Sequence, residues 1–491
     1  MSKEPIFSFI VPVYKKPPEV FEKCLDSLFD MSVKNIEVIA VFDGSDAELE
    51  RVLNRYSRVK KVVIEHGGAP KARNAGFKES TGRYVSFWDC DTFAKPEMAK
   101  VWLDTFDRNS DAAFVYSGYE FTNERGAVES EQFNPYSLRF GNYIASMFPL
   151  KRELVPQWDE SLKAAQDWDY WLTVVENGGK GVFIQGYGFK TEPSFKDSIS
   201  YEGWSPENRD ETIRKVREKH GIPDNPIVFF SHHYGARACQ LAKICRADLL
   251  KPAGYGLDHY KVCASLGVRP QLFKMFPSDS VKVIYWLPME IEILFHAGYS
   301  TVKETIRQTN ELKTVNFCND FLSKNKLKEI GIDAEILDLP IETEETFTEL
   351  PSEFKVLVDA DEAYFPVVKS LQKDLPYIKI DYLKELGGRA PFSTYSLLVS
   401  FYQFPTIDES IKGMLLNGRH VISNVQAPFC GFLDLEVNHP EFLRELFTRV
   451  RLARELPFNK QAQDYYKTLV DPEKFKKRIF DLLPKPVMEI V

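Results

Sequence analysis

Over the first hundred residues, short apolar runs alternate with segments whose apolar residues recur at helical spacing. The predicted strands are Phe7–Val13, Asn35–Phe42, Lys61–Glu65 and Arg83–Trp88. The predicted helices between them are Glu19–Phe29, Ala47–Tyr56 and Pro70–Glu79. This order predicts a doubly wound α/β sheet, in which ligands bind at the carboxyl ends of the strands.

A polar stretch with three prolines, Trp204 to Pro226, interrupts this pattern, and a second α/β alternation follows it. The later predicted strands are Val281–Leu287, Thr314–Cys318, Ala334–Leu339, Lys355–Val358, Leu397–Phe401 and Arg419–Ser423, and two of the predicted helices are Phe321–Glu329 and Ile407–Leu416. The sequence therefore predicts two domains, residues 1–222 and residues 223–491.

Length and composition agree with two globular domains. The chain has 491 residues, and single cores stop growing at roughly 250–300. A net charge of -8 makes nucleic acid an unlikely partner. The seven cysteines show no paired spacing, which is typical of reduced thiols. The N-terminus has no signal-peptide pattern, and no apolar run approaches the ~20 residues of a membrane span. These features predict a cytoplasmic protein with at most peripheral membrane contact.

Two acidic residues follow the fourth predicted strand, at Asp89-Cys90-Asp91. Carboxylate oxygens bind Mg²⁺ or Mn²⁺, and such sites often use one or two protein carboxylates together with oxygens of a bound phosphate. A second interpretation is a turn that caps the next helix. The position at a strand end favours the metal-phosphate interpretation.

Five segments in one order resemble the glycosyltransferase family 2 pattern and its GT-A fold, over residues 6 to about 200. They are Ile10–Tyr14 (IVPVY), Val41–Asp46 (VFDGSD), Gly68–Gly76 (GAPKARNAG), Asp89–Asp91 (DCD) and Ala165–Leu172 (AQDWDYWL). The resemblance implies a transferase of the hexosyltransferase type that uses a nucleotide-sugar donor, with a UDP-sugar preferred.

For the donor, the resemblance implies that Pro12 and Tyr14 line the nucleotide pocket. Asp43 would accept the N–H of the base, and Arg73 would contact the nucleotide or its phosphates. The family's acidic pair in this turn is here Phe42-Asp43, which leaves one carboxylate to recognise the base. Residues Phe183–Phe189 and Lys190–Ser200 are interpreted as a loop that closes over the donor.

For the reaction, the resemblance implies that Asp89 lies near the ribose and the metal, Mn²⁺ or Mg²⁺, and that Asp91 binds the metal directly. Asp167 would be the general base that deprotonates the acceptor, with inversion at the anomeric carbon. Asp169 remains an alternative base. Gln166 replaces the family's glutamate before the base, and this removes a negative charge beside it.

The second half shows a resemblance to GT-B glycosyltransferases of family 4, which implies two Rossmann-type lobes, about 223–340 and 341–491. It rests on segments that include Val281–Pro288, Val315–Leu322, Ala334–Ile341, Leu397–Ser400 and Ile411–Ile422. The two glutamates with which that family holds the donor sugar align with Pro405 and Gly413, and Glu409 is a possible substitute. Three interpretations remain: an active second transferase, a degenerate module for acceptor binding or assembly, and an unrelated domain.

Together these patterns predict a metal-dependent inverting glycosyltransferase of polysaccharide biosynthesis that acts on a glycan, lipid-linked or glycoprotein acceptor. The main alternative is a catalytically inactive scaffold that binds a nucleotide sugar or glycan. A nucleotidyltransferase is disfavoured because the loop Pro12–Pro18 lacks the glycines of that class.

Overall fold

A computed structural model describes residues 4–123, 126–192, 206–231, 235–250, 260–267, 270–297, 299–341, 347–386, 390–403 and 406–484. Contacts within the chain divide it into two compact units. The first extends to Asp224, and the second begins at Asn225. The mixed α/β class expected from the sequence is confirmed in both units.

The first unit is built on a mixed sheet of nine strands among the described residues. They are β1 (Phe7–Val13), β2 (Ile36–Asp43), β3 (Val59–Ile64), β4 (Tyr84–Phe87), β5 (Thr92–Ala94), β6 (Phe114–Phe121), β7 (Ala127–Val128), β8 (Leu150–Lys151) and β9 (Gly181–Thr191). The order is β3-β2-β1-β4-β8-β6-β9-β5, with β7 paired to β6. Strands β1 to β4 are mutually parallel, so their carboxyl ends lie at one edge.

Helices cover this sheet and account for the apolar runs in its strands. They are α1 (Pro18–Asp30), α2 (Ala47–Leu53), α3 (Ala69–Lys78), α4 (Met98–Arg108), α5 (Pro135–Leu138), α6 (Gln166–Glu176) and α7 (Pro206–Lys219). Six of the seven residues of β1 are buried, as expected of a central parallel strand. The four strands and three helices predicted in the first hundred residues are confirmed, with ends shifted by at most three residues.

Helix α3 lies unusually close to the sheet because it carries Gly76. A Cβ at this position would lie 2.3 Å from Cγ2 of Ile10 and 2.9 Å from Cγ2 of Val41. The helix follows Gly68, whose φ of 88° lies in the region that favours glycine. Gly76 is therefore needed for the close packing of α3, which carries Arg73, and Gly68 for the turn from which the helix begins.

The interpretation of Phe183–Phe189 as a closing loop is wrong, because these residues belong to strand β9. Strand β9 runs parallel to β6 and pairs antiparallel with β5, so its glycines and aromatic residues are part of the sheet. Gly188, for example, donates its N–H to Ser117 Oγ at 3.1 Å. Most of the remainder of the predicted loop, residues 193–200, lies outside the described residues.

The second unit contains two separate sheets, each entirely parallel over the described residues. The first has the order β11-β10-β12-β13-β14-β15, with β10 (Ile227–Ser231), β11 (Asp248–Leu249), β12 (Val262–Leu266), β13 (Val281–Trp286), β14 (Val315–Cys318) and β15 (Glu335–Ile336). The second has the order β17-β16-β18-β19-β20, with β16 (Lys355–Ala360), β17 (Lys379–Tyr382), β18 (Leu397–Phe401), β19 (His420–Ser423) and β20 (Gly431–Phe432). The six strands predicted in this half are present, although the third is reduced to Glu335–Ile336.

Helices connect and cover these two sheets. They are α8 (Gly235–Ile244), α9 (Pro288–His296), α10 (Tyr299–Glu311), α11 (Phe321–Glu329), α12 (Phe365–Lys369), α13 (Leu371–Asp374), α14 (Glu409–Leu416), α15 (Phe442–Ala453), α16 (Lys460–Leu469) and α17 (Pro472–Phe480). None of the helices within the described ranges has the length and apolar character needed to cross a bilayer. All seven cysteines are free in this structure.

Candidate active site

Asp89 and Asp91 follow β4 at the edge where the parallel strands end. The backbone N–H of Trp88 donates to the carbonyl of Ile10 at 2.7 Å, which keeps this segment beside β1. The Asp89 side chain is 40% exposed and that of Asp91 is 16% exposed, while Cys90 between them is buried. The two carboxylates therefore lie at the rim of the sheet with Asp91 the more enclosed.

The electrostatics of this pair favour a bound cation. Burial raises the pKa of Asp91, and the charge of Asp89 raises it further, whereas the Lys16 ammonium lowers it. A divalent cation would relieve the repulsion between the carboxylates, and hard oxygen ligands suit Mg²⁺ or Mn²⁺. Within the described ranges, no group of three or more His, Cys, Asp or Glu side chains forms a complete metal site. The residues thus fit a metal whose remaining ligands come from a bound substrate.

Arg73 links the strand end to helix α6. Its Nη2 donates to Oδ1 of Asp89 at 3.1 Å, and its Nη1 lies 3.8 Å from Oδ1 of Asp167. Nη1 also donates to Oε1 of Gln166 at 3.4 Å. The guanidinium stacks over the Trp158 ring, 4.3 Å from its centroid, and is buried. One buried cation therefore brings together two carboxylates from segments distant in sequence.

Asp167 lies in the first turn of α6, and together with Asp89 and Arg73 it lines one site at the strand ends, the cleft. Its side chain is 36% exposed, and its Oδ2 accepts from the backbone N–H of Ser146 at 3.2 Å. Desolvation raises the pKa of Asp167, while Arg73 lowers it and Asp89 raises it. The carboxylate is thus accessible and held in place, as a proton acceptor must be.

Asp169, two residues further along α6, has the opposite surroundings. Its side chain is 3% exposed, and its Oδ1 lies 2.8 Å from Nζ of Lys219 and 2.9 Å from Nε2 of His220. His220 also contacts Glu176 through Nδ1 at 2.8 Å. Both cationic residues stand at the end of α7, so Asp169 joins α6 to α7 and does not face the cleft.

Asp43, at the end of β2, is 3% exposed and holds the loop before α3. Its Oδ1 accepts from the N–H of Gly67 at 2.7 Å, and its Oδ2 accepts from the N–H of Gly68 at 2.9 Å. His66 Nδ1 lies 2.9 Å from the same Oδ2. A carboxylate offers about four lone-pair sites, so one further donor can still be accepted.

Pro12 and Tyr14 lie at the end of β1. Pro12 pairs in register with Val41 of β2, and Tyr14 is 42% exposed beyond the strand. The Tyr14 ring stacks on the His66 ring, with centroids 4.4 Å apart and planes 13° from parallel. The two rings form an exposed aromatic face next to Asp43.

Sequence reasoning missed Lys16 and His66. Lys16 donates from Nζ to Oδ2 of Asp91 at 2.6 Å. Its position in the loop after β1 placed it at the correct edge of the sheet, but a single lysine in a loop carries no periodic signal. His66 directly precedes Gly67-Gly68 at the end of the third strand, and that position was the available signal.

In the second unit, Gly413 and Glu409 are two of the positions at which the sequence comparison with GT-B enzymes would place, or allow, a glutamate for the donor sugar. A Cβ on Gly413 of α14 would lie 2.5 Å from the Phe392 ring, so a glutamate cannot be accommodated there without displacing that ring. Glu409, at the start of α14, lies 2.9 Å from Nη2 of Arg237. Pro405 lies outside the described residues.

Comparison with known proteins agrees with the geometry of the first unit. Residues 8–156 match the model of the family described as glycosyl transferase family 2. An uncharacterized glycosyltransferase of Methanocaldococcus jannaschii is 22% identical over 202 residues, which are 38% of this chain and 69% of that protein. One from Rickettsia prowazekii is 30% identical over 190 residues, 34% of this chain and 58% of that protein.

A longer match is the uncharacterized glycosyltransferase EpsJ of Bacillus subtilis, 24% identical over 274 residues, which are 50% of this chain and 76% of that protein. The alignment with the Rickettsia protein covers less than two thirds of that protein's length. These matches show that the chain carries a glycosyltransferase domain in its N-terminal half and is a transferase.

Among solved structures, S. aureus TarS 1-349 in complex with UDP-GlcNAc has a TM-score of 0.38 at 21% identity, covering 43% of this chain and 66% of that chain. A mannosyltransferase from Pyrobaculum calidifontis in complex with GDP-Man and Mn²⁺ has a TM-score of 0.35 at 14% identity, covering 45% and 66%. TM-scores of this size do not establish a common fold.

Proposed function

We propose that the first unit, whose residues 8–156 match glycosyl transferase family 2, is a GT-A glycosyltransferase that inverts the anomeric carbon of its donor sugar. The donor is a nucleotide-diphosphate sugar, with a UDP-sugar preferred, and the acceptor is a hydroxyl of a glycan, lipid-linked or glycoprotein substrate. The observation that carries this proposal is the convergence of Asp89 and Asp167 on the buried Arg73 guanidinium at the strand ends.

The nucleotide end of the donor lies against the aromatic face of Tyr14 and His66. Stacking on this face suits a planar base, and the remaining acceptor capacity of Asp43 suits its N–H. Because the loop of residues 66–68 is already bonded to Asp43, this part of the pocket is formed before the donor binds.

The diphosphate lies beside the carboxylates of Asp89 and Asp91, within reach of the cationic side chains of Arg73 and Lys16. Asp91 and Asp89 would hold Mn²⁺ or Mg²⁺, which would supply positive charge to offset that of the departing nucleoside diphosphate. Arg73 orients Asp89 through its hydrogen bond, and its stacking on Trp158 restricts the guanidinium to one geometry.

Asp167 takes the proton of the acceptor hydroxyl. The Ser146 N–H fixes one of its oxygens and Arg73 favours its ionised form, so the other oxygen can face the acceptor. A base on one face of the sugar and a leaving diphosphate on the other give in-line displacement and inversion.

The test is release of nucleoside diphosphate from a panel of sugar donors, with a set of acceptors, in Mn²⁺ or in EDTA. We expect turnover with one donor in Mn²⁺, its loss in EDTA, and a decrease of about 10³-fold or more in Asp91→Ala and in Asp167→Asn. Asp104→Ala is the matched control, because Asp104 is an exposed aspartate of α4 paired with Lys100. Wild-type rates in both site variants would refute the assignment, and binding without turnover for any acceptor would favour an inactive scaffold.

For the second unit, the proposal is a GT-B-like pair of lobes that binds the acceptor or mediates assembly without catalysis of its own. The two parallel sheets support the pair of lobes. The packing of Gly413 against Phe392, which leaves no room for a glutamate there, supports this choice over an active second transferase. The same assay separates a module without catalysis from an active second transferase, because an active second transferase would leave donor turnover in the double variant Asp91→Ala/Asp167→Asn. We place the protein in the cytoplasm, in keeping with its seven free cysteines.

A further inference from the structure

Lys16 and Asp91 form an ion pair inside the candidate active site. The ammonium donates to Oδ2 of Asp91 at 2.6 Å, and the two side chains are 29% and 16% exposed. Lys16 comes from the loop after β1, whereas Asp91 follows β4, so the pair spans the edge at which the parallel strands end. Such partly enclosed pairs are less screened by salt than surface pairs.

The position of this ammonium conflicts with a metal on the same carboxylate. Asp91 is the carboxylate proposed to bind the divalent cation, and its Oδ2 is already paired with the positively charged ammonium of Lys16. An ammonium in hydrogen-bond contact with that oxygen and a divalent cation coordinated by it would repel each other strongly at this distance. Either the lysine moves or the metal binds weakly.

Asp89, the second carboxylate proposed to bind the metal, does not remove this repulsion between ammonium and metal. Asp89 is bound by Arg73, whose guanidinium is itself held over Trp158. Lys16 has a flexible stem and lies in a loop, so it is the cation that can change its partner. The diphosphate of a donor, which carries negative charge, is the partner that its ammonium would find nearby.

We infer that Lys16 is an internal counter-cation of the metal site, which pairs with Asp91 when no metal is bound and moves to the donor diphosphate when the metal arrives. This inference rests on the proposed function. Its consequence is that metal and nucleotide bind cooperatively. The diphosphate draws the Lys16 ammonium away from Asp91, and the metal then binds Asp91 without repulsion from that ammonium. Metal alone has to displace the ammonium, and the diphosphate provides that ammonium with a new partner.

Cooperativity of this kind is reciprocal, so it is measurable from either ligand. In wild type, the nucleoside diphosphate should tighten Mn²⁺ binding by a factor within the usual range of about 5–150. In Lys16→Met, Mn²⁺ alone should bind about tenfold more tightly, because Asp91 is no longer paired. The coupling factor should fall by about tenfold, since the diphosphate has also lost the ammonium.

The experiment is a titration of the full chain with Mn²⁺. Binding is measured by electron paramagnetic resonance of the free ion and, separately, by calorimetry. Each titration is done without nucleotide and with saturating UDP or GDP, whichever binds. Lys61→Met is the matched control, because Lys61 also lies 2.6 Å from a carboxylate, Oε2 of Glu50, but on the surface at β3. Lys16→Arg keeps the charge and should retain weak binding of Mn²⁺ alone.

The outcomes separate this inference from the proposed function. Tighter Mn²⁺ binding and weaker coupling in Lys16→Met, with neither change in Lys61→Met or Lys16→Arg, would support it. Cooperative binding of Mn²⁺ and nucleotide that is the same in wild type and Lys16→Met would overturn the role of Lys16 and leave the proposed function standing. A wild-type protein that binds no Mn²⁺ with either nucleotide would overturn both.

Discussion

At the scale of single residues, Asp167 and Asp169 stand two positions apart on α6 and differ in what surrounds them. Asp167 faces the cleft beside Arg73, and Asp169 is buried against Lys219 and His220. Asn in place of Asp keeps the size of the side chain and removes its charge. The pair therefore offers a matched comparison within one turn of helix.

We expect Asp167→Asn to abolish turnover with little change in the free energy of unfolding. Asp169→Asn should instead lower that free energy by about 1–3 kcal/mol, because it removes the charge of a buried carboxylate that pairs with both Lys219 and His220. Steady-state kinetics and urea denaturation of both variants measure these effects. The assignment of Asp167 as the base fails if Asp169→Asn is the inactive variant while its stability is unchanged.

His220 adds a pH dependence to this cluster. Although burial disfavours its charged form, hydrogen bonds with Asp169 and Glu176 raise the pKa of His220 above its usual value of 6.5. A pKa raised on folding means that the added stability is fully present below about pH 6.5 and is lost as the pH rises through the folded-state pKa.

The difference in unfolding free energy between wild type and His220→Gln should therefore be largest at about pH 6 and decrease towards about pH 9. Denaturant titrations of both proteins across this range measure it. A difference that stays constant with pH would mean that His220 contributes by packing alone. His439→Gln serves as the control, because His439 is exposed and its Nδ1 accepts the backbone N–H of the nearby Glu441 at 3.2 Å.

At the scale of elements, the packing of α3 on β1 determines where Arg73 lies. Gly76 leaves no room for a Cβ, since Ile10 Cγ2 would be 2.3 Å away. We expect Gly76→Ala to lower the free energy of unfolding by about 1–3 kcal/mol through overpacking and to reduce turnover, because α3 carries Arg73 away from Asp89.

Gly235→Ala is the control for this change. Gly235 begins α8, and a Cβ there would meet no atom within 4 Å. Its effect on stability should stay below about 1 kcal/mol, because alanine is favoured in helices. Equal losses of stability in the two variants would show that the close approach of α3 is not the cause.

At the scale of the whole molecule, each unit has its own hydrophobic core. One core cluster is made only of residues from the first unit, and three others are made only of residues from the second. In the second unit, a buried ion pair joins Lys412 of α14 to Asp338, and Lys412 also donates to the carbonyl of Asn319 at 2.8 Å.

We expect Lys412→Met to destabilise the second unit by about 3–5 kcal/mol, because Asp338 is left buried and unpaired. Hydrogen exchange should show faster exchange in β16 and β18 and unchanged protection in β1 and β4. Lys460→Met, which removes a surface pair with Asp464, should have an effect of at most about 1 kcal/mol. Equal loss of protection in both units would show that they unfold together.

The alternation of strands and helices, and the edge at which the candidate site lies, follow from the sequence alone. Parallel strands buried on both faces need continuous apolar runs, so β1 and β4 were visible as such runs. The carboxyl ends of such strands meet at one edge, which is why the positions of Asp89 and Asp91 in the sequence suffice to assign them to it. The motifs that contain Gly76 and Asp167 are also continuous segments of the chain, so they too are recognisable without the fold.

Which side chains meet depends on how the strands, helices and loops pack in three dimensions. The pairing of Lys16 with Asp91, the position of Arg73 between Asp89 and Asp167, and the burial of Asp169 all join segments distant in sequence. Likewise, residues 183–189 read as a loop because glycines and aromatic residues lack a clear period, yet pairing with β6 and β5 makes them a strand. Loop conformation and long-range packing leave no periodic trace in the chain, so these contacts emerged only when the elements were assembled.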